Sequence, residues 1–264
     1  MGCGAIGTSL AKAILSFFTE QSELSSLYDI DIEKAYRLSG LLKTKKIAAL
    51  NLEDLINNVD LVIEAASAKS SYEIAKKSLS VKKDIMIMSV GGIVDNYKEL
   101  FVLAKEKNAR LYVPSGAICG LDGLKAAAQS KINKVTLTTR KPPAAFKGVA
   151  FVLKKKINLD QIREDTVLFE GSAQSAIKHF PANINVAATL SILGLGQEQT
   201  LVKIIAAPKA TRNIHEIEID SDAGKISTRT ENVIHPDNPK TSYLAVLSAV
   251  ATLKEILEPV RVGT

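Results

Sequence analysis

The sequence predicts an α/β fold in two parts: a parallel, doubly wound sheet over residues 1–112, then a mixed α/β domain over residues 113–241, with a last helix at 242–257 that packs back onto the first part. Three observations predict it. The chain opens Met1-Gly2-Cys3-Gly4-Ala5-Ile6-Gly7, a G-x-G-x-x-G spacing followed at once by a helical pattern. Short apolar runs then alternate with amphipathic stretches, as βα repeats do. Beyond Val113-Pro114-Ser115-Gly116-Ala117 the runs instead alternate apolar with polar residues, the mark of strands with one wet face.

In order, Thr8 to Thr19 reads as a helix with Leu10, Ile14 and Phe17 or Phe18 on one face. Ser25 to Asp31 reads as an apolar strand ending in acid. A helix at Ile32–Ser39, a weak strand near Ile47–Leu50 and a short helix at Leu52–Asn57 follow. Then come the strand Val59–Ala65, the helix Ser71–Leu79 and the buried-type run Asp84–Val90. In the second part, Val135–Thr139, Thr200–Ala206, Asn213–Asp220 and Lys225–Asn232 read as strands, the last two joined by the turn Ser221-Asp222-Ala223-Gly224. Helices at Gly171–His179 and Ala187–Leu193 are expected to cover this antiparallel or mixed sheet. The last helix starts behind Thr241, a plausible cap, and its stripe is Leu244, Leu247, Val250 and Leu253.

A 264-residue chain that is 46% hydrophobic can bury a sizeable core, and its 23% charged fraction is ordinary for a globular protein. The net charge of +6 comes from small scattered groups such as Lys43-Thr44-Lys45-Lys46 and Lys154-Lys155-Lys156, without interleaved aromatics. That pattern argues against a nucleic-acid partner and suits anionic small molecules. The longest apolar run, Tyr243 to Leu253, falls short of the roughly 20 residues a membrane helix needs. No membrane partner is expected. Two cysteines, Cys3 and Cys119, cannot make a zinc-type cluster, and no other metal site is expected; a reducing cytoplasm is the natural location.

Gly2, Gly4 and Gly7 alone are a weak signal, but the helix follows directly and Asp29 lies 22 residues past Gly7. That is close to the roughly 20-residue offset at which a carboxylate meets the adenosine ribose of a dinucleotide in a Rossmann-type fold. The glycines let the backbone approach the pyrophosphate, and the helix N-terminus favours its charge. Asp29 favours NAD over NADP because a carboxylate repels a 2′-phosphate; Asp31 is the next acid to consider. Further cofactor contacts are expected at strand ends, with Ala65-Ala66-Ser67 and Ser89-Val90-Gly91-Gly92 as candidates.

Three histidines are acid/base candidates. In Ile214-His215-Glu216-Ile217-Glu218-Ile219-Asp220 the period of two turns His215 inward with Ile217 and Ile219. Spacing alone favours a packed core histidine over a poised base, because a base needs a cleft that spacing does not show. His179, at a helix end, and His235, before a proline in a loop, read as ordinary.

Six segments carry a resemblance. They are Val113-Pro114-Ser115-Gly116-Ala117-Ile118, Thr139-Arg140-Lys141-Pro142-Pro143, Phe169-Glu170-Gly171-Ser172-Ala173, Phe180 to Ala187, Asn213-Ile214-His215 and Asn238-Pro239-Lys240-Thr241-Ser242. In order and over almost the whole chain they resemble the L-aspartate dehydrogenase family. The resemblance implies a dinucleotide-binding domain and a mixed α/β catalytic domain that oxidise L-aspartate with NAD or NADP to iminoaspartate, which hydrolyses to oxaloacetate and ammonia or feeds NAD synthesis. It implies that His215 is the active-site histidine and that Asn185 and Ala117 are cofactor-binding positions. A small dicarboxylate is the expected substrate, with Ser115 and Lys240 as candidates to hold its carboxylates, and a homodimer is the expected assembly. Two other readings are a Cys119-dependent aldehyde dehydrogenase and a non-catalytic dinucleotide-sensing protein.

The apolar run that precedes such glycines in a Rossmann-type sheet is absent. The expectation is that the first strand is missing from this sheet and that the reading frame upstream of Met1 continues with a short Val/Ile-rich stretch.

Overall fold

A computed structural model describes residues 1–44, 47–180, 184–236 and 238–263, without the side chains of 184 and 238–240. The chain divides into two compact units, Met1–Pro114 with Val246–Val262, and Ser115–Ala245 with the last two residues. The division falls after Pro114, against 112 in the sequence reading.

In the first unit, α1 (Ala5–Phe17), α2 (Ile32–Leu41) and α3 (Leu52–Asn57) precede a three-stranded parallel sheet, β1 (Leu61–Glu64), β2 (Asp84–Ile87) and β3 (Leu111–Tyr112), paired in the order β1-β2-β3. Helix α4 (Ala68–Ser80) connects β1 to β2, and α5 (Tyr97–Lys107) connects β2 to β3. Helix α5 escaped the sequence reading because only Leu100 and Ala104 of its residues are buried, too few to set up a 3.6-residue stripe. The expected strand at 25–31 is reduced to a single bridge, Leu27 to Ala48, and so is the expected strand at 47–50. Met1 and Gly2 bond on both sides: Gly2 N donates to Tyr28 O at 2.8 Å, the Met1 ammonium to Ile63 O at 2.8 Å, and Ala65 N to Met1 O at 2.9 Å. Burial pushes the Met1 amine below its ordinary pKa. Beside Met1 lies a cavity of about 400 Å3 lined by Ile14, Leu24, Ser26, Leu61, Ile63 and Leu253.

The second unit is a five-stranded mixed sheet in the order β5-β6-β4-β7-β8. Its strands are β4 (Ile132–Lys141), β5 (Thr166–Ser172), β6 (Leu201–Ala206), β7 (Asn213–Ser221) and β8 (Gly224–Asn232). Strands β4 and β6 run parallel; the other pairs are antiparallel. Helices α6 (Leu121–Ala127), α7 (Ala150–Lys154), α8 (Ala173–His179) and α9 (Ile184–Leu193) belong to this unit. Leu124, Ala173, Ala176, Ala187 and Leu190 share one core with Val135, Leu137, Val202, Ile204, Ile217 and Ile219. Each large apolar side chain removed from water there contributes about 1.5–3 kcal/mol. Gly171 and Ser172, read as the start of a helix, are the end of β5, and the helix begins at Ala173.

A short antiparallel pair, β9 (Ile234–His235) with β10 (Asn238–Ser242), leads into α10 (Tyr243–Leu257). Its buried residues are Val246, Ala249 and Leu253, and the last two share a core with Leu10, Ile14, Phe18 and Met86 of the first unit. The stripe read from sequence is thus displaced: Leu244 and Leu247 are exposed. No described helix is long and apolar enough to cross a membrane.

Candidate active site

Each glycine of the opening motif meets a different demand. Gly2 has φ +83°, and an added Cβ would strike the Ala65 carbonyl. A Cβ on Gly7 would collide with the Gly2 carbonyl oxygen, so α1 could not lie against the turn. At Gly4 nothing lies within 4 Å, which leaves its backbone open to a ligand. Tight turn, open approach and close helix packing are the three requirements of a pyrophosphate turn, so the residues present fit a dinucleotide.

Asp29 sits over this turn. Its Oδ2 accepts from Cys3 N at 2.8 Å and its Oδ1 from Asp31 N at 3.0 Å, so the carboxylate fixes the turn. A neighbouring pocket of about 350 Å3 is lined by Cys3, Gly4, Thr8, Lys34, Arg37 and Leu41. Lys34 Nζ stands 3.8 Å from the Asp31 carboxylate. Sequence reasoning passed over Glu64. Fully buried at the end of β1, it accepts from Ala66 N at 2.8 Å and Ser89 N at 2.9 Å, tying together the two strand-end turns named as cofactor candidates.

In the second unit the sheet face toward the helices changes from apolar to polar along its strands. Val135, Leu137 and Thr139 of β4 are each fully buried, and Thr139 pairs in register with His215 of β7. Thr139 Oγ1 lies 3.0 Å from His215 Nδ1. For His215 to accept a proton at Nε2, Nδ1–H must donate to this hydroxyl. Burial, reinforced by the nearby Lys141 charge, pushes the imidazole down to about 3, so it is neutral at physiological pH. Burial alone pushes Lys141 down to about 8.

His215 is also in register with Thr230 of β8, whose hydroxyl lies 3.1 Å from Ala117 O. That carbonyl also accepts from Asn232 Nδ2 at 2.9 Å, and Ser242 Oγ donates to Asn232 Oδ1 at 2.7 Å. The loop carrying Ala117 is thereby held against β8, the strand paired with the one that carries His215. The opposite face of the sheet is charged: Arg140 donates to Glu216 at 2.9 Å and to Asp165 at 2.7 Å, and Arg229 also pairs with Glu216.

Ser115 is half-buried beside Gly116, whose φ is +69°. Asn185 is exposed in the first turn of α9, where its carbonyl accepts from Thr189 Oγ1. The Lys240 side chain lies outside the described residues, as do Lys45, Lys46, Pro181, Ala182 and Asn183. Cys119 is exposed, and its carbonyl accepts from Thr228. His179 packs among Phe151 and Phe169. His235, read as an ordinary loop histidine, is instead buried in β9 with its ring edge-on to Tyr243.

Two family descriptions match this chain: "Homoserine dehydrogenase, NAD binding domain" over residues 2–114 and "Aspartate dehydrogenase, C-terminal" over residues 122–256. The L-aspartate dehydrogenase of Methanosarcina acetivorans is 49% identical over 266 residues, covering 100% of this chain and 98% of that protein. That of Nitrosopumilus maritimus is 40% identical over 268 residues, with the same coverage. The crystal structure of aspartate dehydrogenase from Thermotoga maritima superposes with a TM-score of 0.75 at 27% identity, covering 99% of this chain and 97% of that one. A homoserine dehydrogenase from Thiobacillus denitrificans, 13% identical with a TM-score of 0.62 over 97% of this chain and 72% of that one, shares the fold. With an NAD-binding domain ahead of an aspartate dehydrogenase C-terminal domain, and full-length relatives at 40–49% identity, the chain belongs to the L-aspartate dehydrogenase family of oxidoreductases.

Proposed function

We propose that this protein oxidises L-aspartate, with NAD or NADP as acceptor, to iminoaspartate, which water converts to oxaloacetate and ammonia, and that the reaction feeds NAD biosynthesis. The observation that carries the chemistry is a neutral, buried imidazole oriented by a hydroxyl at a polar end of an apolar sheet face. Gly2, Gly4 and the start of α1 would hold the pyrophosphate, Asp29 the adenosine ribose, and Ala117 and Asn185 the nicotinamide end. The bound nicotinamide supplies a hydride acceptor for the substrate Cα–H.

His215 takes the amine proton as the nitrogen lone pair closes the C=N bond, and then guides water onto the imine carbon. Ser115 and Lys240 are proposed to hold substrate carboxylates. Asp29 supports NAD, while Lys34 and Arg37 lining the adjacent pocket support acceptance of NADP. The exposed Val233, Ile234, Tyr243 and Leu244 support a homodimer, and two unpaired thiols suit a cytoplasmic location.

The test is a spectrophotometric scan for NAD and NADP reduction. L-Aspartate is expected to turn over, with D-aspartate, L-glutamate and L-malate poor, because altered spacing or a lost amine forfeits charge-assisted hydrogen bonds worth several kcal/mol. Equal rates with L-malate would sink the assignment. Turnover of aldehydes that thiol alkylation abolishes would favour the Cys119 alternative, and turnover of nothing would favour the sensor.

A further inference from the structure

Lys141 ends β4 on the same face as Val135, Leu137 and Thr139, one step beyond the threonine that bonds His215. Its backbone is fixed, since it pairs with Ala206 of β6 and its carbonyl accepts from Ala207 N at 2.8 Å. Its ammonium has no carboxylate and no hydrogen-bond acceptor among the described residues. Carboxylates are near in sequence, but the sheet sends Glu216 and Asp165 to the opposite face, where both bind Arg140. The result is two adjacent cations with opposite fates: Arg140 is paired, while Lys141 is half-buried with no carboxylate partner among the described residues. A buried charge left without a partner is costly, and such groups mark places where a ligand supplies the counter-charge.

We propose that Lys141 is a substrate-binding residue whose ammonium pairs with one carboxylate of a dicarboxylic amino acid, so that substrate binding raises the proton affinity of His215. The inference rests on the oxidoreductase reading above and adds to it the group that recognises the substrate's charge.

The charges around His215 support the coupling. From β4 it is faced by Thr139 and Lys141, and from β8 by Thr230; Glu216 and Arg140 lie behind the sheet. Lys141 is therefore the described charge that acts on the imidazole, and it acts to keep the proton off. A carboxylate paired with Lys141 cancels that repulsion and adds an attraction of its own, so substrate binding and proton affinity at His215 rise together.

Two measurements test this. The first compares Lys141→Met and Lys141→Arg with the wild type. Lys141→Met is expected to raise KM for L-aspartate by about 10- to 100-fold, the size of a lost charge-assisted contact, with NAD affinity unchanged. Lys141→Arg is expected to recover at least part of the loss. A folded Lys141→Met protein with wild-type KM overturns the proposal. The second measurement needs no turnover and no variant: the His215 imidazole is titrated by NMR with and without succinate, a dicarboxylate that cannot react. Its pKa is expected to rise when succinate binds, and absence of saturable binding, or binding without a shift, overturns the proposal. Succinate binding that shifts His215 in a protein unable to oxidise L-aspartate would instead remove the aspartate reading and leave the anion site standing.

Discussion

In the first unit the groups that would meet a dinucleotide are backbone atoms, exposed by glycines that leave no side chain in the way. In the second unit the groups proposed to act are side chains, projected from neighbouring strands whose register brings Thr139, His215 and Thr230 side by side. The two constructions fail in different ways. A backbone turn tolerates changes in the identity of its neighbours but not added volume, whereas a side-chain cluster tolerates volume better than a change of charge or hydrogen-bonding capacity.

The sharpest break between the two is expected at His215. His215→Ala should lower kcat by about 10²- to 10⁴-fold, the usual share of general acid–base catalysis, with the Kd for NAD nearly unchanged. Wild-type turnover in this variant would return His215 to the core. His235→Ala is not a silent control, because His235 is buried against Tyr243, and a loss of Tm is expected there without a comparable loss of kcat.

Gly7→Ala should show the opposite pattern. The new Cβ meets the Gly2 carbonyl, so either α1 or the turn must shift. NAD affinity is expected to fall about tenfold or more and Tm to drop, while kcat at saturating NAD stays within a few-fold of wild type. A Gly7→Ala protein with unchanged NAD affinity would mean that the turn is not the pyrophosphate site.

This contrast also explains what the sequence made legible. Glycine spacing and the acid 22 residues on are local facts, and Gly2, Gly4, Gly7 and Asp29 do converge on one turn. Lys141 was not singled out although its segment, Thr139 to Pro143, carries part of the resemblance; only the register of β4 shows that it shares a face with buried Thr139. Glu64 was passed over for the same kind of reason, since its value lies in two amides that come from the ends of different strands. Helix α5 and strand β5 were missed because one buries few residues and the other ends in Gly171-Ser172 immediately before α8.

Protonation should separate the units as well. His215 titrates near 6.5 when unfolded and at about 3 when folded, so between these values the unfolded chain binds more protons. Stability from this group is complete above pH 6.5 and declines as pH falls toward 3, by about 1.4 kcal/mol for each unit of separation at most. Lys141, held to about 8 against 10.5 unfolded, makes stability rise again from pH 8 to 10.5. Denaturation midpoints across pH check both limbs: His215→Gln should flatten the acid one and Lys141→Met the alkaline one. Unaltered limbs in these variants would mean that other titratable groups set them.

The smallest expected effect concerns Asp29, where charge and structure can be separated. Asp29→Ala removes the acceptor for Cys3 N and Asp31 N along with the charge, so it loosens the turn and should weaken NAD and NADP together, NAD the more. Asp29→Asn keeps one side-chain oxygen for those amides and removes only the charge. Because Lys34 and Arg37 line the adjoining pocket, loss of the carboxylate leaves a net positive rim for a 2′-phosphate. Asp29→Asn is therefore expected to shift the ratio of NAD to NADP affinity toward NADP by about two- to fivefold, the size of a half-exposed charge interaction. Adding Arg37→Ala should return that ratio toward the wild-type value without touching NAD. An Asp29→Asn protein whose two affinities both stay as in the wild type would place the adenosine ribose elsewhere, with Asp31 the next carboxylate to replace.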